Sequence, residues 1–96
     1  MNLHIVAVFR FKENDVLDAI ELLKKLVNET RKEEGCLRYD LIEDKYTMGT
    51  FFIIENWESE EHHFKHSGSD HLANFRLQSA SLLAEQTVVY KGFKIF

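Results

Sequence analysis

From Leu3 to Phe11 the apolar side chains fall on alternate positions: Leu3, Ile5, Ala7, Phe9 and Phe11 share one parity, and His4, Val6, Val8 and Arg10 the other. Successive side chains of a strand point to opposite faces, so this pattern predicts a strand apolar on one face and half apolar on the other. The period then lengthens. Val16, Ile20, Leu23, Val27 and Thr30 recur at helical spacing beside Leu17, Leu22 and Leu26, with Asn14 or Asp15 available as a cap. Gly35 tolerates the left-handed conformation that closes a helix, which predicts the stop there, with Arg31 to Glu34 as a solvated last turn. Period two returns in Cys36 to Asp44, where Leu37, Tyr39 and Leu41 alternate with Arg38, Asp40 and Ile42. Polar residues from Glu43 to Thr47 make the connection. Thr50 to Trp57 is apolar on both parities, with Phe51, Ile53 and Trp57 on one and Phe52 and Ile54 on the other, as expected of a strand in the middle of a sheet.

Ser59 can cap the next helix, with Glu60 and Glu61 in the first turn, where the helix dipole favours acids. That helix is expected to end near His66. Gly68 interrupts the pattern, Ser69 or Asp70 restarts it, and Leu72, Phe75, Leu82 and Leu83 carry an apolar stripe onward, so two helical pieces are expected. Thr87 to Phe96 reads as a closing strand. The order β-α-β-β-α-β is that of an α+β, ferredoxin-like domain spanning residues 1–96, a four-stranded antiparallel sheet with its helices on one face. The strands are apolar on both parities, so the other face needs a cover too. The simplest cover is the same face of a second copy, which makes a homodimer the expected partner.

Composition narrows the function classes. Eight Phe, three Tyr and one Trp in 96 residues are a large aromatic load for a chain that buries only about two-thirds of its unfolded surface. The net charge of −4, with twelve basic residues scattered among sixteen acids, argues against nucleic acid as a partner. A single cysteine cannot staple the fold, and Met1-Asn2-Leu3-His4 does not open like a signal peptide, so the cytoplasm is the default location. No apolar run approaches the roughly 20 residues of a membrane-spanning helix.

Three motifs stand out: Glu34-Gly35-Cys36-Leu37-Arg38-Tyr39, then Glu55-Asn56-Trp57-Glu58-Ser59, then His66-Ser67-Gly68-Ser69-Asp70-His71. Together they resemble the antibiotic biosynthesis monooxygenase family, near its quinol-monooxygenase-like members, over nearly the whole chain. The resemblance implies a dimeric α+β barrel with a pocket between sheet and helices. It also implies a small aromatic, quinol-like substrate and an oxygenation that needs no metal or flavin, since an electron-rich deprotonated substrate can itself reduce dioxygen. Isomerases and haem-degrading enzymes share the family. The haem-degrading branch relies on an Asn, Trp and His set not found here, since Trp57 is the only tryptophan and Arg76 stands about where the iron-binding histidine would fall.

Within that frame His66 is the candidate base for a phenolic proton; its plain alternative is a helix-end histidine facing exposed carbonyls. His71 could bond His66 or fix a loop. His62 and His66, at i and i+4 and with Glu58 on the same face, invite a metal, but no convincing ligand set surrounds them; no metal or cofactor is expected. His62 and His63 read as surface residues. Trp57 is a core plug or a wall for an aromatic substrate. Glu55 lies on the face of Trp57 and must find a partner or suffer a raised pKa; it could orient a histidine, or hold the fold by pairing with Arg38 or Lys91. Asn56 faces the other way and could donate to a substrate carbonyl or to a buried loop. Tyr39, Phe64, Phe75 and Tyr90 are the remaining aromatics placed near a cavity, and Cys36 is read as inert packing. These residues support a cofactor-independent quinol monooxygenase, an isomerase using the same histidine, or a non-catalytic binding module.

Overall fold

Alternation and helical period are realised with small shifts of boundary in a computed structural model that describes all 96 residues. Strand β1 (Leu3–Arg10) leads through a 3-10 turn at Glu13–Asp15 into helix α1 (Val16–Thr30). Strands β2 (Cys36–Glu43) and β3 (Thr50–Trp57) follow, then helices α2 (Glu60–Ser67) and α3 (Asp70–Ser79), a 3-10 turn at Ala80–Leu82, and strand β4 (Val88–Gly92). The sheet order is β2-β3-β1-β4 with every neighbouring pair antiparallel, the ferredoxin-like arrangement. Its two most apolar strands take the centre, β1 and β3 pairing without a break from Leu3 opposite Trp57 to Arg10 opposite Thr50.

Parity decides which face meets the helices. Leu3, Ile5, Ala7 and Phe9 of β1 and Phe51, Ile53, Glu55 and Trp57 of β3 are buried on the face that the helices cover. Ala19, Leu23, Leu26 and Val27 of α1 close over them. Each fully buried aliphatic side chain of this kind stabilises the fold by about 1.5–3 kcal/mol. Phe9, Phe11, Phe51 and Phe75 form a chain of ring contacts, and the Phe9 and Phe75 rings meet edge to face at 5.7 Å. The opposite face of the sheet presents Val6, Ile42, Val88 and Tyr90 as exposed side chains.

Two boundaries differ from the pattern. Helix α1 ends at Thr30, not at Gly35: the N–H groups of Arg31, Glu33 and Cys36 bond to the carbonyls of Val27, Thr30 and Glu33, folding the chain into successive tight turns. Gly35, at φ +82°, completes them with a backbone that L side chains rarely adopt. Strand β4 stops at Gly92, because its only neighbour is β1, and Gly92 already lies opposite His4 near the start of that strand. Phe93 to Phe96 have no strand left to pair with.

Candidate active site

The tight turns after α1 redirect a residue that the pattern had left in solvent. Glu33 turns inward, and its Oε2 lies 2.5 Å from Nδ1 of His66 and 2.9 Å from Nε2 of His71. A carboxylate has only acceptors to offer, so the imidazole nitrogens facing it carry the protons. His66 is thereby fixed as the Nδ1–H tautomer, with Nε2 left unprotonated.

The two histidines reach Glu33 because the chain breaks between them. The Ser59 hydroxyl accepts from the His62 N–H at 3.2 Å and starts α2; Gly68 closes that helix, and the Ser69 hydroxyl accepts from the Leu72 N–H at 3.4 Å to start α3. His66 therefore stands in the last turn of one helix and His71 in the first turn of the next. Their rings are 5.9 Å apart, with Glu33 bonded to both.

His66 is only 2% exposed. Its ring lies 4.8 Å from that of Trp57, with 32° between the planes, and 5.6 Å from that of Tyr39. Burial pulls its pKa below the ordinary histidine range, and the bond to Glu33 only partly opposes this. At neutral pH the ring is uncharged, as a base must be. His63, one turn earlier, is held down to about 4 by burial, then by the positive charge of Lys91 and by His66.

Glu55 finds its partner in neither Arg38 nor Lys91. Its Oε1 accepts the indole N–H of Trp57 at 2.8 Å, two residues along the same strand face, while Arg38 is bonded to Asp40 at 2.6 Å on the opposite face. Burial pushes the Glu55 carboxyl up to about 7, against the lowering effects of the Trp57 bond and the Lys91 charge. The Tyr39 hydroxyl is held above the ordinary phenol range by burial and by Glu55. The Cys36 thiol is pushed up to about 11, chiefly by burial, which removes it as a nucleophile near neutrality.

Between the inner sheet face and α2–α3 lies a cleft of about 460 Å³. Phe9, Tyr39, Leu72, Phe75, Leu83 and Val89 give it apolar walls, and its ionisable side chains are Glu55, His63, His66, Arg76 and Lys91, with Tyr39. Of the residues singled out from sequence, His66, Glu55, Tyr39 and Phe75 line this cleft together. His71 stands behind His66, on the far side of Glu33, and borders a second, smaller hollow.

Three aromatics and an amide sit elsewhere. Trp57 is fully buried behind His66 and Glu55, so it supports the wall without forming its surface. Asn56 faces the other side of the sheet, as strand alternation requires, with its Oδ1 buried and unbonded. Phe64 is 78% exposed, because the inward side of the short helix α2 is taken by His63 and His66, and Tyr90 lies on the outer face of β4. Glu33, Arg76 and Lys91 complete the site from positions that the hydrophobic pattern does not mark.

Glu33, His66 and His71 hold one potential metal-ligand atom each within 4.8 Å of one another. Ligands on a tetrahedral zinc at bonds of roughly 2.0–2.1 Å stand about 3.3 Å apart. Glu33 and His66, at 2.5 Å, stand closer than that and are joined by a hydrogen bond.

Residues 2–77 match the family model described as antibiotic biosynthesis monooxygenase. The chain belongs to that family. It is similar to the protein named "Putative monooxygenase Rv0793" of Mycobacterium tuberculosis, at 35% identity over 68 residues, 71% of this chain and 66% of that relative's length. The solved structure of Rv0793 superposes with a TM-score of 0.94 at 27% identity, covering 100% of this chain and 97% of the other. A conserved protein of Methanosarcina mazei superposes at 0.93 with 26% identity, covering 98% and 93%. The monooxygenase family and its ferredoxin-like fold are thus common to sequence motif, topology and relatives.

Proposed function

We propose that the protein is a cofactor-independent monooxygenase acting on a small hydroquinone or polyphenol, with His66 as the base. The observation that carries this reading is the pairing of an uncharged His66, lining an apolar cleft, with a carboxylate on its Nδ1. That pairing leaves Nε2 as the proton acceptor and stabilises the imidazolium formed when the proton arrives. The resulting phenolate is electron-rich enough to pass an electron to dioxygen. Recombination then places one oxygen atom on the ring and releases the other as water, so hydroquinone and O₂ give hydroxybenzoquinone and H₂O, with the substrate as sole reductant. Phe9 and Phe75 offer the ring its walls, and Trp57 backs the histidine.

Turnover under ¹⁸O₂ tests the reading: one labelled oxygen atom is expected in the quinone product, with one O₂ consumed per hydroquinone. Unlabelled product would contradict it. Glu55 favours a second reading, since a carboxyl near 7 and a neutral histidine in one cleft make an acid and base suited to isomerising a carbonyl compound. Product formed without oxygen would select that reaction.

The partner proposed for the open sheet face is a second copy of the chain. Val6, Ile42, Val88 and Tyr90 form an apolar surface there with no helix over it, and pairing two such faces would remove all of them from water. Sedimentation as a monomer at micromolar concentration would contradict the dimer.

A further inference from the structure

The cleft has a charge opposite to that of the protein. The chain carries a net charge of −4, yet two cations, Arg76 of α3 and Lys91 of β4, line the cleft and face just one carboxyl, Glu55. Neither cation has a carboxylate within 4 Å, although five Lys or Arg side chains elsewhere in the chain do. Glu55 itself is bonded to Trp57. Both histidines on the wall are uncharged near neutrality. The site therefore presents positive charge around an apolar floor, and the two cations come from elements on opposite sides of it, a helix and the edge strand.

We infer that the substrate is an aromatic ring bearing both a phenolic hydroxyl and a carboxylate, whose negative charge Arg76 and Lys91 hold between them. The inference rests on the monooxygenase reading for the hydroxyl and on the cleft alone for the carboxylate. Arg76 lines the same cleft as His66, and its positive charge acts on that ring. Lys91 acts likewise on Glu55 and His63, so a carboxylate in the cleft has one cation on the helix and one on the edge strand. A guanidinium and an ammonium on an apolar wall favour anionic rings strongly, because a charge-assisted hydrogen bond is about twice as strong as a neutral one.

Isothermal titration under nitrogen compares 2,5-dihydroxybenzoate with hydroquinone, rings that differ by the carboxylate alone. The carboxylated ring is expected to bind at least about 10-fold tighter, with the ratio shrinking as salt is raised. The doubly substituted R76Q/K91Q protein should bring the two dissociation constants together. Both side chains are exposed, so the variant is expected to fold, and circular dichroism checks that. Equal affinities in the wild type, or a preference that survives R76Q/K91Q, would overturn the inference. Failure of both rings to bind would overturn it as well. A preference for the acid without oxygen uptake in air would support the anion site and contradict the oxygenase reading instead.

Discussion

Glu33 Oε2 and His66 Nδ1 lie 2.5 Å apart across thirty-three positions of sequence, with side-chain exposures of 18% and 3%. The bond joins the turn after α1 to the last turn of α2 and sets the tautomer of the candidate base. It also raises the pKa of a ring that burial otherwise drives down.

Replacing Glu33 by Gln should therefore lower kcat/KM on the order of 100-fold, by analogy with the loss of an orienting carboxylate in a catalytic triad. The acidic limb of the pH–rate profile should also move to lower pH, since the carboxylate no longer supports protonated His66. A purely structural Glu33 would alter stability and leave that limb in place.

Glu55 predicts a pH dependence of stability. Its folded pKa of about 7 is above the ordinary 4.5, so the folded state binds the proton more tightly. This favours the folded state at acidic pH and is lost as pH rises from 4.5 through 7, on the order of 3 kcal/mol in all. The depressed His63 and His66 work the other way, costing stability as pH falls below 6.5. Urea titrations should show Glu55→Gln more stable than wild type at pH 8, with the advantage shrinking toward pH 5. An advantage independent of pH would contradict the assignment.

Trp57→Phe keeps most of the buried ring and removes the donor to Glu55. Leaving that buried carboxyl short of a partner costs about 1–3 kcal/mol. Thermal unfolding should show the loss at pH 8, and Trp57→Phe combined with Glu55→Gln should lose less than the two single effects added. Strict additivity would argue against the bond.

Two glycines give a paired prediction. A Cβ on Gly35 would stand 2.3 Å from Cγ of His62 and require a strained φ of +82°, whereas a Cβ on Gly68 meets nothing nearer than 3.8 Å. Gly35→Ala should therefore destabilise by about 2 kcal/mol or more, while Gly68→Ala stays within about 1 kcal/mol of wild type. Equal effects in chemical denaturation would contradict the tight packing of the Glu33 turn.

The architecture was legible because each element carries a strong period and a chemical boundary. Ser59, Gly68 and Ser69 mark the helix break, and the double-sided apolar pattern of Thr50 to Trp57 marks a central strand. His66 was legible through its motif, and Glu55 through the strain of a carboxyl among aromatics. Glu33 was not, because Arg31-Lys32-Glu33-Glu34 has the composition of a solvated helix end, and only the turns after Thr30 swing one of those acids inward. Phe64 and Asn56 misled for a related reason. Residue type nominated them, whereas position on a short helix and strand parity turned them away from the cleft.

Oxygen uptake with a panel of hydroquinones tests His66 as the base of an oxygenase, comparing wild type with His66→Gln under matched folding by circular dichroism. Uptake above the buffer rate is expected in the wild type, with a loss of at least about 100-fold in the variant, the scale of a lost general base. Uptake unchanged by His66→Gln, or no uptake by the wild type with any hydroquinone, would contradict that role.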